Sequence, residues 1–112
     1  MEISSKIDGG VAVFNIAGRL DFATSENLEH AVNTAIDGGS QRVIFDMRQV
    51  SYVSSAGLRA ILIAAKKAKS AGGGVAVFGL QAGVEEIFAT SGFDKIVPIA
   101  ASDAQAREKL GG

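Results

Sequence analysis

Two short runs of uninterrupted apolar residues, Val43-Ile44-Phe45 and Val75-Ala76-Val77-Phe78, constrain the fold more than any other feature of the chain. Such a run has no polar side to turn toward water, so as a strand it must be covered on both faces. Strands covered on both faces belong to parallel sheets, whose crossovers are helices. A helical segment does lie between the two runs. Leu58, Ile61, Leu62 and Ala65 form its predicted buried stripe, with Arg59, Lys66 and Lys69 mainly outside. It opens at Ser54-Ser55-Ala56-Gly57, continues to about Ala71 and is stopped by Gly72-Gly73-Gly74. The arrangement predicts a β-α-β unit with a right-handed crossover.

The remaining segments extend this unit. Glu2 to Ile7 predicts a short edge strand, with Ile3 and Ile7 on one face and Ser4 and Lys6 on the other. Asp8-Gly9-Gly10 is a hairpin turn signal. Val11 to Ala17 follows as a strand covered on both sides, with Ala12, Phe14 and Ile16 facing one way and Val11 and Val13 the other. Gly18-Arg19-Leu20-Asp21 then leaves the strand, and Thr24 or Ser25 caps a helix running to about Ile36. Asp46 is expected to end the run Val43–Phe45, with a short loop before Ser54. Val84, Ile87 and Phe88 mark a short helix ending at Gly92. Ile96 to Ile99 reads as a last strand, placed at an edge by Pro98. Ser102-Asp103-Ala104-Gln105 is a capping box for a terminal helix ending at Gly111. One α/β domain, residues 1–112, accounts for the whole pattern.

Composition removes several function classes. A net charge of −1 provides no global field toward nucleic acid or an anionic membrane. Lys66, Lys67 and Lys69 read as the solvated end of a helix. With no cysteine, disulfides, thiolate chemistry and sulfur metal sites are absent. His30, the single histidine, cannot build a histidine metal cluster and is expected on a helix surface. No signal peptide or membrane span is evident, and the expected location is the cytoplasm.

Parallel strands bring their carboxyl ends to one rim, where open α/β sheets place their sites. The topology therefore predicts that Asp21, Asp46, Ser54 and Ser55 gather there. Ser55, at the start of a helix, has two compatible readings. It can be an N-cap whose hydroxyl accepts a backbone N–H. It can also be a phosphoacceptor, because unpaired N–H groups and the positive dipole end tolerate an added phosphate. Asp21 reads either as a helix-flanking carboxylate or as a contact for a partner or kinase. Asp46 reads as structural, holding the loop before Ser51. Gly57 suggests close packing, and Tyr52 and Val53 an apolar lip beside the serines.

The stretch Phe45-Asp46-Met47-Arg48-Gln49-Val50-Ser51-Tyr52-Val53-Ser54-Ser55-Ala56-Gly57-Leu58 closely resembles the signature of the STAS domain. That domain is shared by bacterial anti-sigma-factor antagonists and the tails of anion transporters. Gly18-Arg19-Leu20-Asp21 and the stretch from Val84 to Phe88 with Gly92, Phe93 and Ile96 fit the same family. The resemblance implies a mixed, mostly parallel sheet with helices packed mainly on one face. It implies partner switching. The unmodified antagonist binds an anti-sigma factor that is a serine kinase of the histidine-kinase-like ATPase fold. Phosphorylation releases it, and a metal-dependent serine phosphatase restores it. By resemblance the phosphoacceptor falls on Ser55, with Ser54 as runner-up, and the loop aspartate on Asp21. Many members carry aspartate where this chain has Ser54, and serine where it has Ala56. The expected partner surface comprises Asp21, Tyr52, Val53, Ser54, Ser55, Ala56, Gly57, Leu58, Arg59 and Lys66.

The competing expectation is a STAS scaffold subunit that does not switch, as in a sensory or lipid-transport assembly. Catalysis is not expected, and neither is a cofactor or metal. Val53-Ser54-Ser55-Ala56-Gly57 lacks the glycine two residues before Ser55 that a hydrolase nucleophile elbow requires, and His30 precedes the serine instead of following it. Gly72–Gly74 has no following lysine and so is no phosphate loop. A monomer is the default expectation.

Overall fold

The computed structural model describes residues 2–111. Strands β1 (Glu2–Asp8) and β2 (Val11–Leu20) form a hairpin, followed by helix α1 (Phe22–Asp37), strand β3 (Arg42–Val53) and helix α2 (Ser55–Ser70). Strand β4 (Gly74–Phe78), helix α3 (Ala82–Ser91), a 3₁₀ turn (Phe93–Lys95), strand β5 (Ile99–Ala100) and helix α4 (Asp103–Lys109) complete the chain. The five strands lie in sequence order across one sheet. β1 is antiparallel to β2, and every other pair is parallel. The hairpin turns at Gly9 and Gly10, both at positive φ (58° and 80°), the pair of left-handed residues that a two-residue hairpin loop of matching twist requires.

Sequential strand order explains the placement of the helices. From β2 to β5 every crossover steps the same way across the sheet. A uniformly right-handed crossover therefore puts α1, α2 and α3 on the same face. The larger core lies there, with Phe14, Ile16, Phe45 and Val77 from the sheet against Leu28, Val32, Ile61 and Phe88 from the helices. α4 covers the other face, where Ala106 and Leu110 pack with Val11, Ile44, Ala76 and Phe78. The expected mixed sheet with helices mainly on one face is thus the observed one.

Several boundaries differ from the sequence reading. β2 does not end at Ala17 but continues through Leu20, and Asp21 caps α1 instead of Thr24 or Ser25. Asp46 does not end β3, which runs on to Val53 with no loop before Ser54. The cause is two bulges. Pairing slips once between Asn15↔Asp46 and Ala17↔Gln49, and again between Gly18↔Val50 and Arg19↔Tyr52. Each slip adds one residue to β3, so Val50 and Val53 reach the core three residues apart instead of two. A stripe of period three reads as loop to a search for period two. The last strand is Ile99–Ala100. Ile96 instead follows the 3₁₀ turn and is 55% exposed. Ile7 is likewise exposed, unlike Ile3. The buried stripe of α2 is Gly57, Ala60, Ile61, Ala64 and Ala68, with Leu58, Leu62 and Ala65 at its margin.

Asp46 lies mid-strand on the face opposite α1 to α3 and is 4% exposed. Its carboxylate accepts from the Arg48 guanidinium at 2.7 and 3.0 Å, from the Arg48 backbone N–H at 3.1 Å and from Asn15 Nδ2 at 3.1 Å. It is structural, but it holds a strand and not a loop. The side-chain hydrogen bonds from Arg48 hold its pKa below the ordinary carboxylate range, against the opposing effect of burial.

Where β3 enters α2, the chain is tightly packed. A Cβ on Gly57 would sit 2.6 Å from the Leu20 carbonyl oxygen and 2.9 Å from Leu20 Cγ. Gly57→Ala is expected to cost about 1–3 kcal/mol in urea unfolding, as overpacking at a closed contact does. A second expectation concerns pH. The depressed carboxylate of Asp46 adds stability above the unfolded-state value of about 4 and loses it as pH falls through the lower folded value. In Asp46→Asn the loss of stability between neutral and acid pH should therefore be smaller than in wild type, measured as urea midpoints across that range.

Candidate functional site

The register of β2 and β3 builds the site. Leu20 and Val53 form the last pair of the two parallel strands, and both side chains are buried. The Ser54 N–H then donates to the Leu20 carbonyl at 2.9 Å, closing the ladder. One strand turns at Asp21 into α1 and the other at Ser54 into α2, so two helix N-termini stand side by side on one rim. Their unpaired N–H groups and positive dipole ends face outward together. Neither first turn contains an acidic residue.

Each N-terminus is capped by its own residue. The Asp21 carboxylate accepts from the Thr24 N–H at 3.3 Å, and Thr24 Oγ1 accepts from the Asp21 N–H at 2.9 Å, a reciprocal capping box. The Ser54 hydroxyl accepts from the Gly57 N–H at 3.1 Å. This corrects one reading of the serine pair, since Ser54 and not Ser55 is the N-cap. Ser55 is the first residue of α2, is exposed, and makes no side-chain hydrogen bond among the described residues. Its hydroxyl is open to solvent beside the positive end of the helix.

The other predicted site residues divide into groups. Tyr52 is 37% exposed at the end of β3, with the Arg19 guanidinium 4.2 Å from its ring centroid. Ala56 is half-buried beside Ser55, and Arg59 is exposed one turn further along α2. Val53 is 2% exposed and belongs to the core, so it forms no lip. Gly57 is buried and Leu58 packs at the core margin. Asp46 does not join the rim, because strand β3 continues for seven residues beyond it. Lys66 stands eleven residues along α2 from Ser55, roughly 16 Å at 1.5 Å per residue. There it lines an open groove of about 470 Å³ with Leu62, Lys69, Val75, Ile96 and Leu110. Lys66 therefore stands about three helical turns from Ser55.

Two rim residues escaped the sequence reading. Arg19 escaped because β2 appeared to end before it. Phe22, the first residue of α1, is 83% exposed. Its signal was an aromatic placed in the first helical turn, ahead of the apolar repeat that begins at Leu28. His30 is exposed, eight residues beyond Phe22 and about 12 Å further along α1. No group of three or more potential metal ligands occurs among the described residues, and none of their helices is long and apolar enough to cross a membrane.

Comparison with known proteins agrees with this architecture. The family model described as the STAS domain matches residues 2–106. BtrV of Bordetella bronchiseptica, which carries the name "Putative anti-sigma factor antagonist BtrV", is 37% identical over 97 residues, covering 87% of this chain and 83% of that protein. Protein TM1081 of Thermotoga maritima superposes with a TM-score of 0.90 at 21% identity, covering 98% of this chain and 95% of the other. The antagonist SpoIIAA of Bacillus superposes in its unphosphorylated form with a TM-score of 0.84 at 19% identity, covering 99% and 97% of the two chains. A phosphorylated form of SpoIIAA superposes with a TM-score of 0.74 at 17% identity, covering 97% and 99%. On the family match across nearly its whole length and its likeness to BtrV, this chain belongs to the STAS domain family and is homologous to anti-sigma factor antagonists.

Proposed function

We propose that the chain is an anti-sigma-factor antagonist that works by partner switching in the cytoplasm, with Ser55 as the modified residue. The observation that carries this reading is the division of labour between the two serines. The Ser54 hydroxyl is engaged as a helix cap, whereas the neighbouring Ser55 hydroxyl is exposed and unengaged among the described residues. Unmodified, the rim binds an anti-sigma factor that is also a serine kinase of the histidine-kinase-like ATPase fold, and the sigma factor is freed. The kinase transfers a phosphoryl group from ATP to Ser55 Oγ, releasing ADP and the hydroxyl proton. A metal-dependent serine phosphatase hydrolyses the ester and returns the chain to its binding form.

The physical basis is an asymmetry between fold and interface. The modification adds a charge of about −1.5 to −2 at the N-terminus of α2, where the helix dipole favours it by roughly 0.3–1 kcal/mol. Its own domain therefore accepts the phosphate. A partner that must dry the same rim meets a doubly charged group that it has to desolvate, and its affinity falls. Asp21, Tyr52 and Arg59 complete the contact surface around Ser55. The names of BtrV and SpoIIAA as antagonists, and the description of SpoIIAA in two phosphorylation states, support this reading.

The test uses the purified kinase with ATP. Ser55→Ala is expected to keep partner binding and to lose phosphorylation, read by intact mass. Ser55→Asp is expected to weaken binding. Ser54→Ala should lose about 1 kcal/mol of stability with its cap and still accept one phosphate. A Ser55→Ala chain modified to the wild-type extent would contradict the assignment. A complex that persists whatever the state of Ser55 would point to a scaffold subunit instead.

A further inference from the structure

Phe22 is the most exposed large apolar side chain among the described residues. A lone exposed hydrophobe is ordinary on a protein surface, so its meaning rests on where it stands. The fold gives it no task. The α1 N-terminus is already capped by Asp21 and Thr24, and the buried side of that helix is Ser25, Leu28, Val32 and Ile36. It lies two residues past Leu20, whose carbonyl accepts the Ser54 N–H, so the backbone that carries the ring is on the rim beside the Ser54–Ser55 turn. The mount is firm, because the capping box fixes the turn that carries it and Thr24 Oγ1 also donates to the Arg19 carbonyl at 3.1 Å. An aromatic ring on a rigid turn loses little freedom when a partner covers it. Across the same strand ends stands the stacked Arg19–Tyr52 pair. Aromatic residues and arginine are the side chains that dominate binding energy in interfaces.

We propose that Phe22 is the apolar anchor by which this chain holds its anti-sigma factor, seated in an apolar pocket of that partner beside the place where Ser55 docks. The proposal rests on the partner-switching reading and adds its coupling. Seating the ring requires the rim to be dry, and a phosphate on Ser55 resists that drying. Modification of one residue therefore undoes the burial of another.

The experiment measures association and dissociation rates with the purified anti-sigma factor that wild type retains from source-cell extract. Phe22→Ala is expected to weaken binding about tenfold or more, mainly through faster dissociation, with an unchanged thermal midpoint. Phe22→Leu should recover part of the affinity. Ser55→Asp is measured alongside. If Phe22→Ala binds like wild type while Ser55→Asp is weakened, the anchor is overturned and the switching reading stands. If Phe22→Ala turns a dimer into a monomer without altering that affinity, the ring covers a second copy and the proposal is wrong. If wild type retains no such anti-sigma factor, both readings fall together.

Discussion

The parallel pairing of β2 with β3, closed by the hydrogen bond from the Ser54 N–H to the Leu20 carbonyl, is the contact on which the rest of the site depends. It ends two strands at the same level and turns both into helices at once. Two helix N-termini therefore open onto one rim without any further device. Gly57 makes the junction possible, since any side chain there would strike the carbonyl that closes it. The bulges in β3 belong to the same construction. They return Val50 and Val53 to the core, so that the strand arrives at the rim with a buried anchor directly before Ser54.

From that junction the two serines acquire different chemistry. Ser54 has extended backbone and spends its hydroxyl on the Gly57 N–H, while Ser55 is already helical and its side chain is left outside. Adjacent residues of one type are thus made unequal by a single step of backbone conformation. A carboxylate at the first of these positions would cap the helix as the serine does here. The same rim holds Asp21 as a cap and Phe22 as an exposed ring.

Much of this was legible in the residues, for reasons that differ from one element to the next. Val43–Phe45 and Val75–Phe78 announced strands covered on both faces because no polar residue interrupts them, and Gly9-Gly10 announced the hairpin because its turn demands positive φ. Ser102 announced α4 as its cap, and its hydroxyl accepts from the Gln105 N–H at 3.2 Å, but the capping box is not closed, because the Gln105 side chain accepts from the Ala101 N–H at 2.7 Å and not from that of Ser102. The far end of β3 was illegible because bulges replace the strand period that a reader looks for. The end of β2 was illegible because Gly18, Arg19 and Asp21 read as turn residues, although the ladder with β3 overrides that preference up to Leu20. For the site, topology brought Asp21, Ser54 and Ser55 together correctly but placed Asp46 with them, since the strand seemed to stop there. Which serine caps and which stands free depends on one residue of backbone register, finer than spacing can resolve.

In the proposed switch, charge on Ser55 alters what the rim presents and leaves the domain behind it intact. Backbone amide spectra of the unmodified and stoichiometrically phosphorylated chains, recorded with amide hydrogen exchange, test this directly. Shifts confined to the turns around Asp21 and Ser54 to Arg59 are expected, with exchange from the core strands unchanged. Shifts or faster exchange spread through β2, β3 and β4 would mean that the phosphate acts by disturbing the fold, and would contradict the account.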